Sequence, residues 1–202
     1  MNSATLRKRL RFRYFGDAWL IEIVYYCASP PGIDTMTETT AQEKKLTPPI
    51  AEGRAQMVDV ADQPKTVRTA VAAGRVRLGK EAFYQVQEKT VRKGDVLSVA
   101  QIAGLQGAKQ TSKLIPLCHD VLLQGVDVDF TLNEEDYAVE IRAFAKSTGP
   151  TGVEMEALTA VSIAALTIYD MCKSISKEIT ITDARLLAKT GGQSGDYRRD
   201  IS

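Results

Sequence analysis

One histidine, His119, is all that the 202 residues contain. That scarcity excludes metal centres built on several imidazoles and mechanisms that pass a proton between two histidines. Cysteine is almost as sparse: Cys27, Cys118 and Cys172 are odd in number, widely spaced and form no Cys-x-x-Cys pair. This argues against a disulfide framework and against a zinc or iron–sulfur site, and a reducing, cytoplasmic compartment is expected. Neither charge sign is in excess. Lys and Arg total 26 against 25 for Asp and Glu, so no long-range field suits a nucleic-acid backbone, and an anionic ligand has to be held by a local cluster. The apolar run at residues 18–28 is interrupted by Glu22 and is too short to span a bilayer. The expected partner is a small molecule, with neither nucleic acid nor membrane.

What is present is the balance of a globular protein: 44% hydrophobic and 25% charged residues, in a chain long enough to bury one core. Residues 1–28 join a basic opening (Arg7, Lys8, Arg9, Arg11, Arg13) to the short apolar run. This partly resembles a secretory signal and partly a mitochondrial presequence, and matches neither cleanly. Residues 30–52 are rich in Pro, Thr and charge, the composition of a flexible arm, and Met36 inside them is an alternative start. Residues 1–55 are accordingly expected to be a flexible extension and residues 56–202 one folded domain without repeats.

Lys93-Gly94-Asp95 reads as a turn, with Asp95 the N-cap of a helix running through Val96, Ile102 and Ala108 towards Leu114, where Pro116 limits it. Val126, Val128 and Phe130 alternate with Asp127 and Asp129. Val139, Ile141, Ala143 and Ala145 repeat the pattern after a polar turn at 133–136, predicting a hairpin. Thr151 with Glu154 three residues on matches a capping box opening a helix to about Ile175, apolar nearly all round between Leu158 and Ile168. A last strand is expected at residues 179–182. The order predicts an α+β sandwich, a mainly antiparallel sheet with helices packed on one face.

Asp170 and Lys173 stand three apart near the end of the long helix, on one face, where the carboxylate can hold the ammonium. The bland reading is a surface ion pair. Ile168, Tyr169, Met171 and Cys172 are apolar neighbours, however, and an apolar wall lowers a lysine pKa towards the range of a general acid-base. Glu154 and Glu156 lie about sixteen residues earlier, roughly 24 Å away along a helix, further than one small ligand spans. If both ends serve active sites, two antiparallel copies of the helix bring them together, and the site lies at a homodimer interface. The alternative is that Glu154 caps the helix and Glu156 is solvated. The glycine-rich segment 189–197 can present N–H groups to a phosphate without being a Walker A loop, and can equally be a mobile tail. Lys93, Lys109, Arg68, Arg75 and Arg77 are further positive groups. His119 follows the apolar run 115–118, a place where a lone histidine is more often structural than ligating.

In order along the chain stand Met57-Val58-Asp59-Val60, Lys93-Gly94-Asp95-Val96, Ile102-Ala103-Gly104, Leu114-Ile115-Pro116-Leu117-Cys118-His119, Gly152-Val153-Glu154-Met155-Glu156-Ala157-Leu158-Thr159 and Tyr169-Asp170-Met171-Cys172-Lys173. Together, over residues 57–197, they resemble the cyclic pyranopterin monophosphate synthase family of molybdenum-cofactor biosynthesis. The resemblance implies a lyase that rearranges 3',8-cyclo-7,8-dihydroguanosine triphosphate into a cyclic pyranopterin monophosphate with loss of pyrophosphate. It implies no required cofactor, leaving open Mg2+ with the triphosphate. It also implies a ferredoxin-like fold and a homohexamer, a trimer of dimers with the active site at the dimer interface. By position, Lys173 corresponds to the catalytic lysine and Asp170 to the active-site aspartate, with Lys93 assisting. Leu117, Cys118 and His119 correspond to one substrate-contacting stretch, and Glu154, Met155 and Glu156 to another. Arg68 and Lys189 correspond to basic positions assigned to the triphosphate.

Asp120 departs from the family pattern. A carboxylate beside His119 would raise its pKa and weaken an approaching phosphate. No cysteine cluster of the radical enzyme that precedes this family in the pathway is present in the sequence, and that enzyme is expected to be a separate chain. The competing readings are a non-catalytic, purine-nucleotide-sensing oligomer on the same scaffold, a different nucleotide-processing enzyme, and a purely structural oligomer.

Overall fold

A computed structural model describes residues 7–15, 18–26 and 55–200, the first two stretches as backbone strands. The chain forms two compact units, Met1–Pro49 and Ile50–Ser202. In the first, β1 (Arg7–Phe15) and β2 (Ala18–Tyr26) pair antiparallel, in register from Arg7 opposite Tyr26 to Phe15 opposite Ala18. The pattern is present in the sequence, since Leu10, Phe12 and Tyr14 alternate with Arg9, Arg11 and Arg13. Met36 and the arm at 30–52 lie outside the described residues.

The second unit contains β3 (Thr66–Arg77), α1 (Lys80–Gln87), α2 (Val96–Lys109), α3 (Thr111–Leu114), β4 (Leu123–Asn133), β5 (Ala138–Gly149), α4 (Glu154–Cys172), β6 (Thr180–Thr190) and β7 (Tyr197–Arg198). The sheet runs β4-β5-β3-β6-β7 with every neighbouring pair antiparallel. The class is α+β. The expected hairpin is β4–β5, with Val128 opposite Ala143 and Phe130 opposite Ile141. At the centre, β3 and the helix α1 answer to no expectation from sequence. Ala70, Ala72, Ala73 and Gly74 are poor strand formers by propensity. The strand exists because it is paired on both edges and because Ala70, Ala72 and Val76 are fully buried.

Asp95 caps α2 as expected, its Oδ1 accepting from the Ser98 N–H at 3.1 Å. The Lys89 ammonium, 2.9 Å away, together with that N–H holds the Asp95 carboxyl down at about 2. The helix does not reach Leu114 unbroken. It stops at Gln110, and the Thr111 hydroxyl donates to the Ala108 carbonyl at 2.9 Å, satisfying a group that a continuing helix would have used.

The capping box is also corrected. Val153 is the N-cap of α4 and makes no side-chain cap bond, so Glu154 is the first helical residue, with its carboxylate free to pair elsewhere. The helix ends at Cys172, short of Ile175, and the final strand extends from the expected residues 179–182 to Thr190.

Helix α4 is long and apolar enough to match a membrane span, yet more than half of that stretch is buried inside the domain. It packs on β3, β5 and β6 and against α2. The close approach of the two helices depends on Gly104, where a Cβ would stand 3.0 Å from the Ala160 carbonyl oxygen and 3.2 Å from Val128 Cγ2. Ile168 is wholly buried on the face of α4 that meets this core. Ile168→Ala is expected to destabilise the domain by about 2–5 kcal/mol, read as a lower urea midpoint at unchanged slope.

Candidate active site

At the C-terminal end of α4, Asp170 is gripped from two sides. Its Oδ1 is 2.7 Å from Lys173 Nζ, and its Oδ2 is 2.9 Å from Lys93 Nζ, which also donates to the Asp170 carbonyl at 2.7 Å. Lys173 is the C-cap residue of α4, and Lys93 comes from the turn before α2. Packing of α2 against α4 is therefore what adds Lys93 to the carboxylate that Lys173 already meets at the end of α4. Two cations sharing one anion leave this end of the helix electropositive.

The direction of the Lys173 shift differs from the sequence expectation. Ile168, Met171 and Cys172 point into the core, while the Lys173 side chain is about half exposed. Its bond to Asp170 raises the ammonium pKa. In turn Lys173 first, then Lys93, hold the Asp170 carboxyl at about 2. A carboxyl lowered on folding contributes stability above the ordinary carboxylate range and loses it as pH falls through about 2. In a carbon-13 NMR titration Asp170 is expected to titrate near 2, and in the Lys93→Ala/Lys173→Ala double variant to return to about 3.9.

At the other end of α4 lies a cavity of about 230 Å³ lined by Leu117, Cys118, His119, Val121, Thr151, Gly152, Glu154, Met155 and Glu156. The loop after α3 supplies one wall, and the β5–α4 turn with the first helical turn supplies the other. Six residues singled out in the sequence thus meet in one place. Thr151, Gly152 and Val121 were not singled out as lining, although Thr151 and Gly152 sit in the motif that carries Glu154.

Glu156 is 3% exposed. Burial first, then the charge of Glu154, push its carboxyl above the ordinary value, and burial and Glu156 do the same to the Cys118 thiol. A buried carboxyl with a raised pKa in a cavity has the makings of a proton donor. It is not the solvated residue of the bland reading.

Lys189, at the end of β6, joins this cavity to the glycine-rich turn. Its ammonium is 2.9 Å from Glu154 Oε1 and 2.8 Å from Ser194 Oγ. That segment is ordered by pairing: β7 returns along β6, with Tyr197 opposite Lys189, and the Gly191 N–H donates to Asp196 Oδ1 at 3.0 Å. Arg68 is 6% exposed and donates from Nη2 to the Pro150 carbonyl at 2.9 Å, bracing the turn that forms one cavity wall. Gly192, at φ 89°, leaves the room that the guanidinium occupies. Arg75 is drawn elsewhere, bound to Asp136 at 2.9 Å and Glu140 at 2.6 Å. Asp120 accepts from the Ser112 hydroxyl at 3.0 Å, and His119 Nε2 meets the Val58 carbonyl at 2.7 Å.

An α+β domain that places a carboxylate between two lysines at one end of a buried helix, and a cavity with a buried glutamate at the other, has the parts of an acid-base enzyme for an anionic substrate. A model of the MoaC family matches residues 57–192. The cyclic pyranopterin monophosphate synthase of Salinibacter ruber is 61% identical over 158 residues, which are 78% of this chain and 93% of that protein. The protein of the same name from Clostridium acetobutylicum is 51% identical over 148 residues, 73% of this chain and 92% of that one. The cyclic pyranopterin monophosphate synthase, mitochondrial, of Arabidopsis thaliana is 54% identical over 167 residues, 83% of this chain and 62% of that one. The chain belongs to the MoaC family.

Proposed function

We propose that this chain is the lyase that converts (8S)-3',8-cyclo-7,8-dihydroguanosine 5'-triphosphate into cyclic pyranopterin monophosphate with release of pyrophosphate, in molybdenum-cofactor biosynthesis. Family membership supports the activity. The observation that carries the residue assignment is the meeting of Leu117, Cys118, His119, Glu154, Met155 and Glu156 around one cavity, with the Lys93–Asp170–Lys173 cluster held at the far end of the same helix.

The cavity of about 230 Å³ is below the roughly 300–1,000 Å³ of complete small-molecule sites. It takes part of a nucleoside triphosphate. The remainder is supplied by a second copy whose α4 runs antiparallel, so that the lysine cluster of one copy faces the cavity of the other. Dimers of this kind assemble as a homohexamer, a trimer of dimers. The core succession β3-α2-β4-β5-α4-β6 and its sheet order support a ferredoxin-like reading of the fold.

Ring opening, ring closure and cyclic phosphate formation each move protons, and the polyphosphate has to be held while they do. Lys173 enters with its ammonium favoured by Asp170, so its first act is to donate a proton or to steady developing negative charge. Asp170 orients it, and Lys93 adds a second cation. Glu156 is the complementary proton donor in the cavity. Arg68 and Lys189 contribute positive charge beside it, where a phosphate would compete with Glu154 for Lys189.

No resident cofactor enters this scheme, and Mg2+ would accompany the triphosphate as part of the substrate. The proposed setting is the cytoplasm. Purified protein given enzymatically made cyclic dihydro-GTP, with and without magnesium, is expected to release pyrophosphate and a pterin that becomes fluorescent on oxidation, in equal amounts. Substrate binding without either product would replace this reading by that of a nucleotide sensor.

A further inference from the structure

The motif Met57-Val58-Asp59-Val60 belongs to neither charged cluster, yet it touches the site through the chain's single histidine. The Val58 carbonyl oxygen lies 2.7 Å from His119 Nε2. A carbonyl oxygen only accepts, so Nε2 must carry a hydrogen, and in the neutral ring Nδ1 is left as an acceptor with a free lone pair. Burial does not hold this segment in place, because Met57 and Val58 are 51% and 52% exposed. Two turn bonds do: Asp59 Oδ1 accepts from the Ala61 N–H at 2.9 Å, and the Val60 carbonyl accepts from the Gln63 N–H at 3.1 Å. Asp59 therefore shapes the chain immediately after the carbonyl that meets the histidine.

We infer that residues 57–63 form a positioning strap whose Val58 carbonyl locks the tautomer of His119, so that the neutral ring offers the cavity an acceptor at Nδ1 and not a donor. In the proposed reaction, on which the kinetic part of this inference rests, such a ring takes a hydrogen bond from a substrate N–H or O–H and then its proton. It does not grip a phosphate oxygen, which has no hydrogen to give. Asp59 is a positioning residue in this arrangement and touches no substrate.

The single histidine makes the test direct, since nitrogen-15 histidine labelling of the full chain marks one imidazole. At about pH 9, above the ordinary range of imidazole titration, the proton is expected on Nε2 with its Hε2 signal protected from exchange with water. Asp59→Ala, which removes the turn bond, is expected to speed Hε2 exchange and to lower kcat/KM about tenfold, the size of one lost hydrogen bond. Asp59→Asn keeps an accepting oxygen and is expected to restore both. A proton on Nδ1 in the wild type, or an Hε2 signal indifferent to Asp59→Ala, would overturn the inference. Protected Hε2 that is lost and restored as described, in a protein that turns over no cyclic nucleotide, would uphold the strap and remove the proposed activity instead.

Discussion

Lys173→Ala is expected to lower the single-turnover rate of pyrophosphate release by about 10²–10⁴-fold, the range contributed by a positioned acid-base group. The fold should survive, because the side chain is about half exposed and its bond is to Asp170, itself at the surface. Unchanged circular dichroism and an unchanged urea midpoint would show that. Substrate affinity should fall much less than the rate, since Lys93 remains on Asp170 and keeps positive charge at that end of α4. The contrast between binding and turnover separates a proton-transfer role from a phosphate-holding one: loss of affinity alone, with the bound substrate still converted at the original rate, would make Lys173 a charge for the triphosphate and move the acid-base work to Glu156. Wild-type turnover in the variant would dismiss the assignment.

The elements legible in the sequence are those whose burial is one-sided or complete. Val126, Val128 and Phe130 alternate because β4 has a polar outer face, and α4 buries Ala157, Ala160, Val161, Ala164, Ala165 and Ile168 against the sheet and α2 while its outer side, with Leu166 56% exposed, is apolar too. Strand β3 is hard to read locally because Ala70, Ala72, Ala73 and Gly74 dilute the strand propensity of Thr69 and Val71, and pairing with β5 and β6 is what makes it the centre of the sheet. The motif residues of the site could be named from resemblance, but their meeting could not. The cavity requires residues 117–121 to face residues 151–156 across a hairpin, a contact that no local spacing encodes. At two charged groups the deciding partner is not the one that the adjacent residues suggest. Glu154 looked like a capping residue because Thr151 precedes it, whereas its partner is Lys189, far along the chain. The apolar neighbours of Lys173 predict a loss of basicity, whereas Ile168, Met171 and Cys172 face the core and the group bonded to the ammonium is a carboxylate that raises its pKa.

The separation of the two clusters leads to the sharpest test of how the site is assembled. Along α4, Glu156 and Asp170 are fourteen residues apart, roughly 21 Å, and the cavity beside Glu156, at about 230 Å³, is smaller than a complete small-molecule site. If a second copy completes it, Lys173→Ala damages the lysine half of a site and Glu156→Gln damages the cavity half, each on a different subunit. Each variant alone is expected to be inactive. Co-expressed in equal amounts, they assemble at random, half of the dimers are mixed, and each mixed dimer contains one site built from two undamaged halves. About a quarter of wild-type activity should therefore return, without any new substitution. If one copy instead supplied both halves, every site in the mixture would still carry one lesion and nothing would return. Tagging the two variants differently and assaying the doubly purified species raises the expected recovery to about half in a simple dimer. Recovery of that size is more than tenfold above either variant alone, so the result does not depend on fine kinetics. It would place the chemistry between two antiparallel copies of α4 and explain why a helix so thoroughly apolar along its middle carries its charged residues only at its ends.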